Sequence, residues 1–584
     1  MRRYFSRLLV VALFAAPMLA GTTAAEVKKP RPSKVTATPA VLDKPAIDLT
    51  GLIPEDRRVP WNPGIPGGIP EVKKICARVS AEQYGNGTTD AAPAIQAALD
   101  ACPEGQAVLL PAGTYRTGMV LWIRKGIVLR GEGPAKTRVV RHEAKDNWHG
   151  AVIRIINDAT FAQPVAVTAR APIGARRVEV ADPDPFQVGD ILQLDQRDDP
   201  ALVTTGDCRW FKRMDADGGA RSMGQRVEVI GKEGTSLLLA TPLYFTLDPA
   251  LKPQAVKFTQ APVHRAGIED LYVTGGIQTS IDVVNAAYSW VRNVESDKVL
   301  GRHMSIMGCY RCVIRDSFVH HARDYNSGAH AYGISLSAQT SDTLVENNIA
   351  YYLNKPILME AAGGGNVIAY NYADDPILGQ QPTWQEVAID GSHCSHPFMT
   401  LIEGNWAPHI GAANTHGSAS HLTFYRNHAS TKARTVAHTS NTTAIQLDSG
   451  MLGMNVLGNV LSLPGANTRY EPTPDPKKKD VYRWDTIGWP PPKAFMLGGW
   501  ARDWQPQNFD PRVAATILRH GNFDYAGNAV RWDPKIARKD LPASLYLTAK
   551  PEFWGDLPWP FVDPLRQPMV GTLPAKARFD AMQK

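Results

Sequence analysis

The sequence concentrates titratable side chains between residues 320 and 421, where eight of its 15 histidines lie. Histidine titrates near neutral pH and suits proton transfer, so this density predicts a reactive site. The stretch "NYADD" in the same region places Asp374 directly before Asp375. Adjacent carboxylates repel each other, so the pair indicates either a catalytic site or a hydrated turn.

A recurring asparagine indicates the architecture that would bring these side chains together. It stands in runs such as "IAYNYA" and "IEGNWA", and successive copies are 23, 34, 22 and 32 residues apart, at Asn348, Asn371, Asn405, Asn427 and Asn459. The pattern recurs upstream at Asp270, Asn293 and Asp316. A period of about 22–23 residues, with insertions of about ten, is typical of a solenoid with three short strands per coil. We therefore expect an all-β fold in which the asparagines form a hydrogen-bonded ladder.

The position four residues after the ladder carries a titratable side chain in four successive coils. Successive strands of a sheet lie about 5 Å apart, so these side chains would form a column along one edge of the solenoid. We predict that the catalytic residues are His321, Tyr352, Asp374, Asp375 and His409. Side chains alternate along a strand, so at most one of the two aspartates can face inward.

The insertions between coils supply side chains that we expect to bind the substrate. They are Arg323, His330, Trp384, Glu386, Asp390, His393, His396, His416 and Arg426. For any single histidine, ordinary burial is the alternative interpretation. Asp374, Asp375 and Glu386 form a candidate calcium site, because calcium prefers hard oxygen ligands. The sequence indicates no other cofactor, since "HCSH" at 393–396 lacks the spacing of a structural zinc site.

The composition suits a large, turn-rich β protein. Of the 584 residues, 44% are hydrophobic and 20% are charged, with 48 glycines and 45 prolines. Residues 1–25 have the form of a secretory signal, with a basic region that includes Arg7, an apolar region from Leu8 to Ala16 and small residues up to Ala25. We expect an exported protein, periplasmic or extracellular; an uncleaved anchor is the alternative.

The charge balance bears on the partners. Removal of the three arginines of the signal reduces the 63 basic residues to 60, against 56 acidic residues. This excess is too mild for a nucleic-acid-binding surface, although it permits an acidic substrate. No other stretch reaches the roughly 20 apolar residues that span a membrane. We expect a monomer that binds a polysaccharide, without nucleic acid and without a membrane span.

The six cysteines of an exported chain can form disulfides. Cys76 and Cys102 bracket one compact unit, and we predict that they pair. Cys309 and Cys312 form a CxxC inside a strand pattern, without the strand–helix context of a redox motif. A structural role is the better interpretation of that second pair.

Residues 84–118 carry a family resemblance. A turn at Gly85 is followed by Asp90, which can cap a short helix with Ile95, Ala98 and Leu99 on one face. The strand "AVLLPAGTY" comes next. This stretch resembles the opening of right-handed parallel β-helix enzymes of the pectate lyase and polygalacturonase superfamily, in which such a helix caps the first coil. The resemblance implies a right-handed parallel β-helix but leaves the reaction open, because the group is chemically diverse.

The organisation along the chain follows from shifts in pattern. Residues 160–256 alternate with period two around glycine turns, and the tail is dense in Trp and Pro without a coil period. We expect a signal peptide at 1–25, a linker at 26–50, an N-terminal cap and first coils at 51–159, an inserted β subdomain at 160–256, main coils at 257–464, and a C-terminal wrap or cap at 465–584.

Three functions fit these residues, and we favour the first. β-Elimination of a uronic-acid polysaccharide needs a cation for the carboxylate, a base and an acid, for which Arg323 or calcium, His321 or His409, and Tyr352 are candidates. A C5-epimerase would share its first step.

The second function is hydrolysis by paired carboxylates, which Asp374 and Asp375 could provide together with Glu386 or Asp390. "ADD" followed by "THGS" at His416 is similar to the polygalacturonase pattern. The third is carbohydrate binding without catalysis.

Overall fold

A computed structural model describes residues 47–142, 150–206, 208–432, 441–466, 470–471, 493–497 and 510–584. The predicted signal peptide at 1–25 and the predicted linker up to residue 46 lie outside these ranges. From residue 47 onward the chain is packed against the body of the protein, and Leu49 is buried. Within the described ranges, no helix is both long enough and apolar enough to span a lipid bilayer.

The chain coils into three parallel faces, which we call face 1, face 2 and face 3 in the order in which each coil visits them. Face 1 contains Ile75–Arg78, Ala107–Leu109, Val128–Arg130, the first halves of Gly267–Thr274 and Trp290–Val299, Val313–Arg315, Leu344–Glu346, Val367–Ala369, Leu401–Glu403, Thr423–Tyr425, Asn455–Leu457 and Leu518–His520.

Face 2 contains Gly113–Thr117, Thr137–Arg141, the second halves of the same two long strands, Phe318–Ala322, Ile349–Leu353, Tyr372–Pro376, Trp406–Ala407, His428–Ala429, Val460–Leu461 and Asn522–Asp524. Face 3 contains Leu121–Ile123, Ile153–Ile155, Thr279–Val284, Arg302–Met307, Tyr332–Ser337, Lys355–Glu360, Ile389–Cys394, Ile410–Ala412, Thr443–Leu447 and Lys493–Leu497. Each strand pairs in parallel with the strand one coil later, so the predicted right-handed parallel β-helix is confirmed.

The core of the β-helix is a stack of apolar side chains that repeat in register. On face 3, Ile334, Ile357, Ile389, Ile410 and Ile445 lie opposite one another on successive strands, and all are fully buried. Each residue packs on its counterpart one coil away, so the core is continuous along the axis. Truncation of one such isoleucine to alanine costs about 2–5 kcal/mol of stability.

The predicted capping helix is present at Ala92–Ala101. Its buried Ile95 and Leu99 cover the end of the core, and Oδ1 of Asp90 accepts a hydrogen bond from the backbone N–H of Ala92 (2.9 Å). A disulfide joins Cys76 to Cys102 at the end of this helix, as the sequence predicted. Cys309 and Cys312 are buried free thiols in the core, in agreement with a structural role.

The asparagine ladder is also confirmed, and it turns each coil from face 1 to face 2. The Nδ2 atom of each asparagine donates to Oδ1 of the next at 2.9–3.0 Å, from Asn348 through Asn371, Asn405, Asn427 and Asn459 to Asn522. Asn522 extends the ladder into the segment for which we expected a wrap or cap, because the strands at 518–520 and 522–524 add one more coil.

The upstream residues of the ladder pattern occupy a different position of the same corner. Asp270, Asn293 and Asp316 adopt left-handed φ values of 51–58° and lie on the outer side, where Nδ2 of Asn293 donates to Oδ1 of Asp270. Their counterpart one coil later is Asn347, not Asn348, and Asn347 donates to Asp316. The expectation that they belong to the buried ladder is therefore off by one residue.

A separate antiparallel sheet lies between the early coils and the main coils. Its strands are Val165–Ala166, Arg177–Glu179, Ile191–Asp195, Gly224–Glu233, Ser236–Leu239 and Gln254–Lys257. A disulfide between Cys208 and Cys394 ties this insertion to the end of a face-3 strand. Gly206 packs directly on the backbone carbonyl of His416, where an added Cβ would lie 1.4 Å from the oxygen, so no other residue fits there.

The remaining elements are short. They are the strands Arg213–Met214, Ala220–Arg221, Val263–His264, Ala286–Ala287 and Ala529–Arg531, the helices Pro511–Thr516 and Pro574–Met582, and the 3-10 turns Glu55–Arg57, Ala81–Gly87, Arg209–Phe211, Pro249–Leu251 and Glu552–Trp554. The C-terminal segment packs along faces 1 and 2. There the hydroxyl of Tyr546 donates to Glu346 (2.7 Å), and Phe579 lies against Tyr351 and Tyr372.

Candidate active site

At the end of face 2, where the column was predicted, the structure has two adjacent rows of side chains. Asp297, His320, Tyr351 and Asp374 lie opposite one another on successive strands. Each is followed by a residue with a left-handed φ of 49–54°: Lys298, His321, Tyr352 and Asp375. The structure therefore brings His321 and Tyr352 together, with ring centroids 5.2 Å apart.

Neither of the adjacent aspartates faces the core, because Ala373 takes the inward position. Asp374 is buried on the outer side, where its Oδ2 accepts hydrogen bonds from the hydroxyl of Tyr372 (2.6 Å) and from Nζ of Lys432 (2.8 Å). Asp375 is half-buried, and its backbone N–H donates to Oδ1 of Asp374 (2.9 Å). One ammonium and one hydroxyl thus compensate the Asp374 carboxylate.

His409 does not join the column. The strand Trp406–Ala407 is short, and Pro408 and His409 lead directly into Ile410 of face 3, so the side chain of His409 is completely buried. Its Nδ1 atom lies 3.4 Å from Nδ2 of Asn441.

Two further predicted residues hold the fold. Arg426 is buried, and its guanidinium donates to the carbonyls of Leu541, Pro542 and Val562 in the C-terminal segment, so it does not face a substrate. His396 is fully buried between the hydroxyls of Ser418 and Ser420, and burial lowers its pKa to about 3.

Arg323 donates to the carbonyls of Lys298 and Gly276 and braces that turn. His330 pairs with Asp324 at 2.7 Å on the loop after face 2. Trp384 is buried in the loop that leads to Glu386.

The structure does not group the three carboxylates of the candidate calcium site. Asp374 pairs with Lys432, whereas Glu386 pairs with Lys355. Across the described residues, the one group of three or more ligating side chains that meets the distances of a metal site is Asp297, His320 and His321.

A buried set of charged and hydrogen-bonding side chains lies at face 3 and in the loop before one of its strands. We call Tyr332, Lys355, Glu386, Asp390 and His393 the Lys355 cluster. Nζ of Lys355 lies 2.7 Å from Oε1 of Glu386 and 3.1 Å from Oδ2 of Asp390. Nδ1 of His393 lies 3.6 Å from the same Asp390 oxygen, and the hydroxyl of Tyr332 lies 3.1 Å from Nε2 of His393.

Electrostatics keeps these groups in defined protonation states. Burial alone would lower the pKa of Lys355, but Glu386 and Asp390 outweigh it and raise that pKa, so the ammonium stays charged. Burial would likewise raise the pKa of Asp390, yet Lys355 and His393 hold it at about 2. Burial raises the pKa of Tyr332, which therefore keeps its proton at neutral pH.

Neighbouring strands add an arginine and a second aspartate. Arg302 lies opposite Tyr332 one coil earlier, and its guanidinium pairs with Glu360 at 2.7 Å. Asp448 is buried and accepts hydrogen bonds from Nε2 of Gln446 (2.8 Å) and from the backbone N–H of Asn414 (3.0 Å). Burial raises the pKa of Asp448 to about 7.

Several buried polar atoms around the cluster make no hydrogen bond within the described part of the chain. They are Oγ of Ser335, Oε2 of Glu360, Oδ1 of Asn414 and Oε1 of Gln446. Buried polar groups in native proteins are almost always paired, so unpaired ones beside a reactive cluster are typical of a ligand-binding surface.

The sequence named Glu386, Asp390, His393 and His416, and the structure groups the first three; the ring of His416 lies 5.1 Å from that of His393. It did not name Tyr332 or Lys355. Both begin a face-3 strand and lie two residues before a core isoleucine, and they are opposite each other in register. The periodic isoleucines were the signal that could have located them.

The chain was also compared with known proteins. No protein-family model and no curated protein matches the chain. Among solved structures, the chain is similar to the tailspike gp61 of Pseudomonas phage phi297 (12% identity, TM-score 0.44, covering 69% of this chain and 73% of that one). It is also similar to the A-module of the Azotobacter vinelandii mannuronan C-5 epimerase AlgE4 (13%, 0.37, 73% and 99%) and to an alginate lyase from Paenibacillus sp. str. FPU-7 (9%, 0.32, 66% and 94%).

Proposed function

We propose that the protein is an exported enzyme that acts on a uronic-acid polysaccharide by β-elimination, with the Lys355 cluster as its active centre. The observation that carries this proposal is the hydrogen bond of 3.1 Å between the hydroxyl of Tyr332 and Nε2 of His393, with the carboxylate of Asp390 3.6 Å from the other ring nitrogen. A hydrogen-bonded acid and base with a carboxylate near the base can carry out general acid–base catalysis.

β-Elimination assigns one role to each group. His393 takes the proton from C5 of the uronate, and the electrons of that C–H bond form the C4–C5 double bond. The C4–O4 bond breaks, and Tyr332 delivers its proton to the departing oxygen. Asp390 stabilises the imidazolium ion that His393 becomes, because its low pKa keeps it ionised.

The proton at C5 becomes acidic only when the neighbouring carboxylate is neutralised. Arg302 and Lys355 lie opposite Tyr332 on the two adjacent strands and so flank it with positive charge. A substrate carboxylate beside Tyr332 would share one of these cations with Glu360 or with Glu386. Because coils repeat along the axis, a polymer can extend over several strands of face 3.

One observation favours a second candidate, glycoside hydrolysis. Lys355 and His393 hold the pKa of Asp390 at about 2, whereas burial raises the pKa of Asp448 to about 7, so near neutral pH the first carboxyl is ionised and the second is about half protonated. Two carboxyl groups with pKa values pushed apart are what a hydrolase uses as base and acid.

The decisive experiment treats a panel of acidic and neutral polysaccharides with the purified protein. Absorbance near ~235 nm reports the unsaturated uronate, and a reducing-end assay reports any cleavage. We expect both signals with a polyuronate. Reducing ends alone would establish the hydrolase instead, and binding without either signal would establish a carbohydrate-binding protein.

Two variants test the assignment of the site. Tyr332→Phe and His393→Ala should each lower kcat by about 10²–10⁴-fold. The matched control is Tyr115→Phe, which removes a buried hydroxyl that bonds the carbonyls of Val79 and Pro111 in the first coils. Full activity in both site variants would remove the Lys355 cluster as the reaction centre.

A further inference from the structure

The end of face 2 carries a second group of chemically competent side chains, separate from the Lys355 cluster. Asp297 and His320 lie opposite each other on adjacent strands. His321 follows with a left-handed φ of 49°, which breaks the strand alternation that would send neighbouring side chains to opposite sides. The two imidazole rings therefore meet edge to face, with their Nδ1 atoms 2.9 Å apart.

We propose that Asp297, His320 and His321 bind a divalent transition-metal ion of the zinc class. One ligand atom from each side chain lies within 4.8 Å of the other two. Ligand atoms that share a zinc ion at ~2.0–2.1 Å lie about 3–4 Å from one another, so small side-chain rotations complete the set. Two imidazoles and one carboxylate suit zinc, copper and nickel and leave coordination positions for water.

The surroundings hold the three ligands in place. The hydroxyl of Tyr272 donates to Oδ2 of Asp297 (2.9 Å), and Nε2 of the buried His303 lies 3.0 Å from the backbone carbonyl of His321. The first contact orients the Asp297 carboxylate, as partners of metal ligands do, and the second holds the backbone of His321. The ring of His320 also stacks on Phe318, with centroids 4.0 Å apart, which restricts its rotation.

The local charge also suits a cation. Glu295 lies 3.3 Å from Nε2 of His320 and adds a second carboxylate beside Asp297. Lys298 offsets part of this charge from the solvent side, where its Nζ lies 3.5 Å from Asp297.

Isothermal titration of the chelator-treated full-length protein with zinc chloride tests this site. We expect a site that His320→Ala and His321→Ala abolish and that the isosteric Asp297→Asn weakens. Tyr272→Phe leaves all three ligands in place and should weaken binding by about tenfold. His264→Ala, which removes a half-buried histidine from another corner, should bind zinc as the wild type does.

Two readouts separate lost binding from lost folding. Circular dichroism should show the same metal-free unfolding transition for Asp297→Asn as for the wild type, while zinc raises the Tm of the wild type by more than it raises the Tm of the variant. Absence of zinc binding in the wild type would overturn the proposal. So would binding that survives in both histidine variants, or binding that disappears in His393→Ala, since that loss would place the ion between His393 and His416.

Discussion

The hydroxyl of Tyr332 lies 3.1 Å from Nε2 of His393, although 61 residues separate them in the chain. Tyr332 begins one face-3 strand, and His393 lies near the end of the strand two coils later. A solenoid makes such contacts routine, because residues one period apart become neighbours in space. Four predictions follow from this and related contacts.

Lys355 should be a major contributor to stability as well as to the site. Lys355→Met would leave Glu386 and Asp390 buried without their shared counter-charge and should cost about 3–5 kcal/mol, because an uncompensated buried charge is strongly unfavourable. Urea denaturation measures this loss. The exposed pair Lys576–Asp580 gives the control, and Lys576→Met should cost less than about 1 kcal/mol. Equal effects of the two substitutions would contradict the buried pairing.

Asp448 should make the protein less stable as the pH rises. Burial raises its pKa in the folded protein to about 7, above the ordinary value of 3.8 for an aspartate, so its contribution is fully present below about pH 4 and is lost as the pH rises towards 7. The difference is on the order of 4 kcal/mol. Asp448→Asn removes this dependence, so its stability relative to the wild type should improve between pH 4 and pH 7. Urea midpoints across that interval, with exposed Asp184→Asn as the control, provide the measurement.

Replacement of one asparagine of the ladder should strongly destabilise the protein. Asn405→Ala would remove the oxygen that accepts hydrogen bonds from the backbone N–H and from Nδ2 of Asn371. It would also remove the Nδ2 group that donates to Oδ1 of Asn427, and all of these groups are buried. Each unsatisfied buried group costs about 1–3 kcal/mol. We expect a loss of several kcal/mol by thermal denaturation, against a change within about 0.5 kcal/mol for Asn326→Ala on an exposed loop. A small effect at Asn405 would mean that the neighbours find other partners.

The two disulfides should differ in their effect on catalysis. Cys394 ends the strand that carries Asp390 and His393, whereas Cys76 and Cys102 lie in the first coils. The double variant Cys208→Ser/Cys394→Ser should therefore lose most of its activity at a temperature at which it remains folded. Cys76→Ser/Cys102→Ser should be destabilised by about 3 kcal/mol but retain its kcat. Equal retention of activity in both variants would show that the insertion does not support the site.

The fold was predictable because its signal repeats. The asparagine spacing reports a local geometry that recurs from coil to coil, and the helix at 92–101 caps the first coil. Neither signal depends on the loops. The grouping of Tyr332 and Lys355 with His393 was not predictable by counting from the ladder. The connection from face 2 to face 3 is a single residue before Lys355 but a twelve-residue loop before Ile389, so the register is lost at that corner.

The adjacent aspartates illustrate a second limit. Alternation along an extended strand correctly leaves at most one inward position, but it does not anticipate the left-handed residue at Asp375. Nor does the sequence reveal Lys432 as the partner of Asp374, since 58 residues separate them. His409 was misplaced for a related reason, because Pro408 and His409 lead directly into the next face and the side chain is buried beside Asn441.

The bond between Cys208 and Cys394 has a consequence for where the protein can work. The strand that bears Asp390 and His393 is anchored by a cross-link that a glutathione-rich cytosol would keep open. In a reducing compartment, newly made chains would thus lack the covalent link between the insertion and this strand, and an oxidising compartment would allow the link to form. The proposed active centre would then gain its covalent support only in an oxidising compartment.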